Sequence, residues 1–288
     1  MVLGNGEVDY AMAYEHLVVA IDDRVATVTI NRPEQYNSVN HRLHQELVEI
    51  WRDLGRDPRV NVIVITGAGE KAFSAGADLG MLKHRMSLKN EQRYDDAVTW
   101  EARDLVYGMV NCDKVIISAV NGAAVGAGLA VAIMADISII ADDARLGDGH
   151  VKLGVAAGDH SAMIWPLLCG MARAKFYLLT GEMLTGAKAA EIGLVSTAVP
   201  RAEVQATAQA LARRLADGSQ QALGLSKRAL NQWLRLGGLT AFDYSLAVEK
   251  LGFFSPDAQE GVTAMREKRA AVFPSSGQAA SGGPVHAA

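Results

Sequence analysis

Residues 119–136 read AVNGAAVGAGLAVAIMAD, and their pattern decides how the first half of the chain folds. An apolar strand over Val115 to Val120 runs into a glycine-rich turn and then into an apolar helix. Glycines let such a turn pass close to a ligand, and the first N–H groups of the following helix lack internal partners, so the loop favours developing negative charge. A second stretch, Phe73-Ser74-Ala75-Gly76-Ala77-Asp78-Leu79, follows the apolar strand Asn61 to Thr66 and opens another helix. Two such loops could share one oxyanion.

Outward from these loops the pattern continues. Leu17 to Asp22 and Val25 to Asn31 alternate as strands, and Asp22-Asp23-Arg24 suits a tight hairpin between them. His41 to Gly55 carries Leu43, Leu47, Ile50 and Leu54 at helical spacing, with Asn40 as its N-cap. Asp136 to Ala141 adds a strand, so the first half reads as repeated βα units. Beyond Asp159 helical spacing dominates, over 161–180, 186–192, 201–217, 221–236 and 240–253, with Gly193 closing the second of these helices. Residues 274–288, PSSGQAASGGPVHAA, are too small and polar to offset their ordering entropy and are expected to be a disordered tail.

Composition excludes several classes. Hydrophobic residues make up 50% of the 288 and charged residues 21%, as in an ordinary globular protein. A net charge of -4 gives no basic face for nucleic acid. The longest apolar run, Ala123 to Ala135, is too short to span a bilayer, and the N-terminal residues lack a basic segment followed by an apolar one. Cys112 and Cys169 lie in apolar contexts, which suits buried thiols in a reducing compartment, so the cytoplasm is expected. His41 and His44 sit three apart without a third ligand at any zinc-type spacing, so no metal is expected. Gly126-Ala127-Gly128 has Val131 where a dinucleotide fingerprint needs its third glycine.

FSAGADL and NGAAVGAGLA, taken with Asn31-Arg32-Pro33-Glu34 and Asn37 before them and Ser255-Pro256-Asp257-Ala258-Gln259-Glu260-Gly261 leading to Glu267-Lys268-Arg269 after them, resemble the crotonase superfamily, whose type member is enoyl-CoA hydratase. The resemblance covers residues 14–273. It implies an α/β fold with a crotonase-type ββα spiral core over 14–200 and a helical C-terminal trimerisation region over 201–273, assembled as a homotrimer or a dimer of trimers. It implies catalysis through an enolate held by the N–H groups of Ala75 and Ala127, with Ala77, Asp78 and Gly126 against the substrate. Lys83 and Lys268 are the basic residues placed to meet CoA, because Tyr36 and Gly80 occupy positions where many members carry a basic residue. CoA enters as part of an acyl-CoA substrate, and no separate cofactor is implied.

The departures from the family are informative. The two glutamates with which the hydratases hold water fall at Ala130 and His150, neither a carboxylate, and the carboxylates that an isomerase would use could be Asp148 or Asp159. Gly147-Asp148-Gly149-His150, with Val155 to His160 and Trp165-Pro166, resembles instead 6-oxocamphor hydrolase, the superfamily's carbon–carbon bond hydrolase. There a histidine and an aspartate nine positions apart act as base and orienting partner, the separation here of His150 and Asp159. A neutral imidazole can take a proton from water, and a carboxylate on its other nitrogen fixes the tautomer. Hydrolysis of a β-diketone without CoA and a non-catalytic acyl-CoA-binding subunit are the alternatives.

Overall fold

The computed structural model describes residues 8–88 and 97–277. Strands β1 (Leu17–Asp22) and β2 (Val25–Ile30) form the expected hairpin, pairing Leu17 with Ile30 and Asp22 with Val25. Asp23 and Arg24 turn it with φ of 45° and 62°. Two successive left-handed residues match the right-handed twist of the flanking strands, which is why so short a link suffices. Helix α1 (His41–Arg56) follows, its first turn closed by Asn40 Oδ1 accepting the Leu43 N–H at 2.8 Å. Its apolar stripe of Leu43, Leu47, Ile50, Trp51 and Leu54 is buried.

The main sheet has six strands in the order β1-β2-β3-β5-β7-β10, where β3 is Val62–Gly67, β5 Val115–Val120, β7 Ile137–Ala141 and β10 Thr197–Val199. From β2 onward every pairing is parallel. All residues of β3 and β5 are buried, as strands covered on both faces must be, and this explains their unbroken apolar runs.

A second, smaller sheet has the order β4-β6-β8-β9, with β4 at Ala72–Ser74, β6 at Ala123–Val125, β8 at Arg145–Gly147 and β9 at Leu184–Thr185. Each long strand is thus followed by a short one that turns off into the second layer. Strands β3 and β4 lead to α2 (Leu79–Ser87), and β5 and β6 lead to α4 (Ala127–Met134), with α3 (Ala97–Asn111) between the two units. Strands β7 and β8 lead to a single 3-10 turn, His150–Leu153. This is the ββα spiral that the resemblance implies. Asn121 ties one corner to the next, its side-chain amide donating to the carbonyls of Gly67 at 2.9 Å and Gly69 at 2.7 Å.

In the C-terminal half the helix read over 161–180 is two helices, α5 (His160–Cys169) and α6 (Met171–Thr180), broken at Gly170 with φ of 81°. Helix α7 (Gly186–Glu191) ends as expected at Gly193, whose N–H donates back to Ala190. Helix α8 (Val204–Ala216) buries Val204, Ala208, Ala212 and Ala216 in the same core as the strands, and Phe253 and Ala258 pack in a second, smaller cluster with Leu82 and Val155. Helices α9 (Gln220–Leu234) and α10 (Thr240–Gly252) are joined by a π-helical turn, Arg235–Leu239. Helix α11 (Pro256–Glu267) is capped by Ser255, whose Oγ accepts the Ala258 N–H at 3.1 Å. Pro274–Ser276, assigned by composition to a disordered tail, form a 3-10 turn in which the Ser275 N–H donates to Asp257 at 3.0 Å. Residues 278–288 lie outside the described residues. Among the described residues no helix is long and apolar enough to cross a membrane.

Candidate active site

The early Asn-Arg-Pro motif builds the scaffold for the first loop. Asn37 is fully buried in a left-handed conformation, accepts the Arg32 N–H at 2.9 Å, and donates to the carbonyls of Ala68 and Ala72 at 2.9 and 2.8 Å. Asparagine suits this place because its short amide tolerates the left-handed region and bonds the local backbone. With Asn37 clamped, Tyr36 turns its carbonyl onto the Ala75 N–H at 3.0 Å, and Val39 pairs with the next residues, its N–H donating to Gly76 at 2.7 Å and its carbonyl accepting from Asp78 at 3.0 Å.

These bonds correct one expectation. The Ala75 N–H, expected to face an oxyanion, is occupied by Tyr36. Ala77 keeps an N–H with no protein acceptor among the described residues. Asp78 acts in the scaffold: it caps α2 by accepting the Met81 N–H at 2.8 Å, and its other oxygen lies 3.5 Å from Arg32.

The second loop meets the first at two glycines. Gly76 has φ of 82°, and a Cβ there would lie 2.7 Å from the Val125 carbonyl oxygen; Gly126 has φ of 50°. Both positions demand glycine on conformation, and Gly76 on close approach as well. Ala127 follows as the first residue of α4, outside the left-handed region, so its Cβ is tolerated and its N–H has no carbonyl one turn back to bond.

Ala77, Gly126 and Ala127 line a cavity of about 670 Å³ together with His150, Asp159 and Glu249. The carbonyl-side residue Ala75 also reaches its wall. Ala130, at one of the hydratase glutamate positions, is buried inside α4. The side chain of Lys83 lies outside the described residues. Lys268 ends α11 in a left-handed conformation, is exposed, and does not line the cavity; its neighbour Arg269 does, with its guanidinium held by Glu260 and Glu267.

His150 starts the 3-10 turn after β8. Its Nδ1 is 2.9 Å from Asp148 Oδ2, so the orienting carboxylate is Asp148 rather than Asp159. Asp148 is itself fixed, accepting the His150 N–H at 3.0 Å and the Ser161 hydroxyl at 2.5 Å. Asp159 is on the other side of the ring, its Oδ2 4.0 Å from His150 Nε2, and Glu249 Oε1 is 3.7 Å from the same nitrogen. Asp159 also caps α5 by accepting the Ser161 N–H at 3.3 Å, and its Oδ1 lies 2.6 Å from His160 Nδ1, an ion-pair distance without hydrogen-bond geometry.

Burial disfavours a charge on the His150 ring, but the negative charges of Asp148, Glu249 and Asp159 outweigh it and hold the imidazole well above its ordinary value. Asp148 and Asp159 are held low in turn: burial opposes their charge, and the neighbouring histidines more than offset it. These charges favour the protonated ring, a proton donor, where the sequence suggests a neutral acceptor. Asp148, Asp159 and His160 form one set close enough to share an ion, and His150, Asp159 and Glu249 form another. The hydrogen bonds and ion pairs already described account for both groupings.

Glu249 was not legible beforehand. It enters from α10, far along the chain, where Gly158 lets the loop before Asp159 press on the helix: a Cβ at Gly158 would be 2.2 Å from the Ser245 carbonyl oxygen and 2.4 Å from Glu249 Cβ. His44, one of the two histidines without a metal-type spacing, is buried and lines the cavity.

Two glycine-bearing loops meeting above a buried acid–base cluster, on a ββα spiral, agree with the comparison of whole sequences. The family model described as enoyl-CoA hydratase/isomerase matches residues 20–276. The chain belongs to this family, within the crotonase superfamily. Crotonyl-CoA hydratase of Syntrophomonas wolfei is 33% identical over 266 residues, covering 91% of this chain and 99% of the relative. The 1,2-epoxyphenylacetyl-CoA isomerase of Escherichia coli is also 33% identical, over 270 residues, covering 90% and 98%. A solved enoyl-CoA hydratase/isomerase from Mycobacterium paratuberculosis superposes with a TM-score of 0.80 at 38% identity, covering 86% of this chain and 97% of that one. Hydratase and isomerase names at equal identity leave the reaction to be argued from the site of this family member.

Proposed function

We propose that the protein is an acyl-CoA lyase or isomerase that works through a thioester enolate, held by the N–H groups of Ala77 and Ala127. The observation that carries this is the abutment of their loops at Gly76 and Gly126 on the cavity that holds His150. Backbone donors fixed before the reaction stabilise charge without reorganising. CoA is part of the substrate.

For water addition to an enoyl thioester, His150 and Glu249 replace the two glutamates of the hydratases. Gaps of 3.7 and 4.0 Å from Nε2 to Glu249 and Asp159 are too long for a direct hydrogen bond and short enough for one water to bridge. A carboxylate takes a proton from that water as its oxygen bonds the β-carbon, the electron pair moves to the thioester oxygen, and the His150 imidazolium returns a proton to the α-carbon. Asp159, held at low pKa and occupied by the α5 cap, is the weaker base, which leaves this role to Glu249.

A second reading follows from the likeness of the loop from Gly147 to His160 to the carbon–carbon hydrolase, with Asp148 in place of Asp159 orienting His150. There the same water attacks a ketone carbon of a β-diketone, and the departing enolate occupies the same two N–H groups. The assembly we propose is a homotrimer or a dimer of trimers, supported by exposed Leu225, Leu230, Trp233, Leu236 and Leu251 on the C-terminal helices. The two buried free thiols accord with a cytoplasmic setting.

A turnover screen of enoyl-CoA, 3-oxoacyl-CoA and cyclic β-diketones, with His150→Ala as the control, tests the reading. Turnover of an enoyl-CoA that falls by roughly 10² to 10⁴ in His150→Ala is expected. Turnover of the diketone alone moves the assignment to the hydrolase, and tight acyl-CoA binding without turnover makes the chain a binding subunit.

A further inference from the structure

The same cavity holds a second histidine–carboxylate pair that the proposed chemistry does not use. His44, on the first turns of α1, has its Nδ1 2.8 Å from Glu101 Oε2 on α3. Gln45 steadies that carboxylate by donating to Oε1 at 3.2 Å, and His41 Nδ1 approaches it to 3.8 Å. Burial raises the Glu101 carboxyl, but the hydrogen bond and charge of His44 outweigh burial and hold it below its ordinary range. The pair is therefore fixed from behind. A carboxylate can only accept, so Nδ1 carries the proton and the free edge of the ring is Nε2.

His44 Nε2 meets no protein partner among the described residues, although the residue is 5% exposed and lines the cavity. Elsewhere on the lining, Val39, Leu82, Ala102 and Leu246 offer only apolar atoms or backbone. A polar edge among apolar lining residues fixes orientation and discriminates by hydrogen bonding, because a ligand without a matching group leaves that edge unpaired.

Resting on the acyl-CoA reading, we infer that His44, oriented by Glu101, recognises a hydroxyl on the acyl part of the substrate. A hydroxyl both gives and takes a hydrogen bond, so it satisfies Nε2 in either protonation state of the ring. His44 is a specificity-determining residue in this assignment and takes no proton in the reaction.

Calorimetric titration with saturated straight-chain acyl-CoAs from butanoyl to octanoyl, and with their ω-hydroxy counterparts, tests this without turnover. At the length that reaches Nε2 the hydroxylated ligand should bind about tenfold tighter than its alkyl twin, as one hydrogen bond to an otherwise unpaired group predicts. His44→Leu should erase this preference and leave alkyl affinity within about twofold, and Glu101→Gln should reduce it in part. A preference that survives in His44→Leu, or its absence at every length in the wild type, overturns the inference and leaves the pair a packing feature. Failure of both series to bind the wild type would instead overturn the acyl-CoA reading beneath it. Should His44→Leu not fold, the His44 imidazole nitrogen resonances in the wild type decide: they should move on saturation with the hydroxylated ligand only, and equal movement with both ligands counts against recognition.

Discussion

His150 Nδ1 rests 2.9 Å from the fully buried carboxylate of Asp148, and this contact fixes which ring nitrogen faces the cavity carboxylates. With Nδ1 bound there, Nε2 turns toward Asp159 and Glu249, and three negative charges around one ring raise its pKa against the cost of burial. The sequence suggests a neutral base here, and the surrounding charges favour an acid.

The pH profile follows from this sign. An imidazolium with a raised pKa donates below that pKa, so kcat/KM should fall on the alkaline side as pH rises through it, and on the acid side only as the carboxylate base is protonated. Asp148→Asn removes the largest charge holding the ring protonated and should move the alkaline limb to lower pH. A profile in which activity rises with pH through the histidine range would show that His150 acts as a base.

Glu249 and Asp159 should separate under conservative substitution. Glu249→Gln is expected to lower turnover by roughly 10² to 10³ with small change in ligand affinity, as for a lost general base. Asp159→Asn should cost less in turnover and more in melting temperature, because the amide keeps the α5 cap but loses the charge beside His160 and His150. Steady-state kinetics beside thermal melts decide it, and the reverse order would assign the proton to Asp159.

Ala127 offers a clean test of a backbone donor. It is the first residue of α4, where proline's missing N–H breaks no helical bond and its fixed φ suits the helix. Ala127→Pro should fold with a melting temperature close to wild type and lose roughly 10² to 10³ in turnover, the cost of one oxyanion donor. Unchanged turnover in a folded variant would remove Ala127 from the mechanism.

Away from the site, Asp57 should make stability depend on acid. Burial raises its carboxyl, but hydrogen bonds from Arg59 at 2.7 Å and Tyr10 at 2.8 Å outweigh burial and lower it to about 2. A depressed pKa contributes stability above the unfolded value, and that contribution fades as pH falls from about 4 toward 2. Asp57→Asn should then cost about 2 kcal/mol at neutral pH, and the difference from wild type should shrink in denaturant titrations run down to about pH 3. A difference independent of pH would mean that packing rather than charge is lost.

What the sequence by itself determined is local or repeated along the chain. The Asp23-Arg24 turn, the Asn40 cap, the stop at Gly193 and the apolar runs of β3 and β5 each depend on neighbours a few residues away, so their signals are complete within short windows. The family motifs add the order of the units, and with it the ββα spiral. The strands β4, β6 and β8 stayed hidden because three residues carry no periodicity. Only the tertiary structure decided which groups face the reaction. Ala75 and Ala77 are alike in sequence, and they differ because the Tyr36 carbonyl, swung into place by buried Asn37, takes one N–H and not the other. Asp148, Glu249 and His44 acquire their roles from contacts between elements distant in the chain. The upward shift of His150 follows from the same cause, since packing brings Glu249 and Asp159 around the ring beside its near neighbour Asp148.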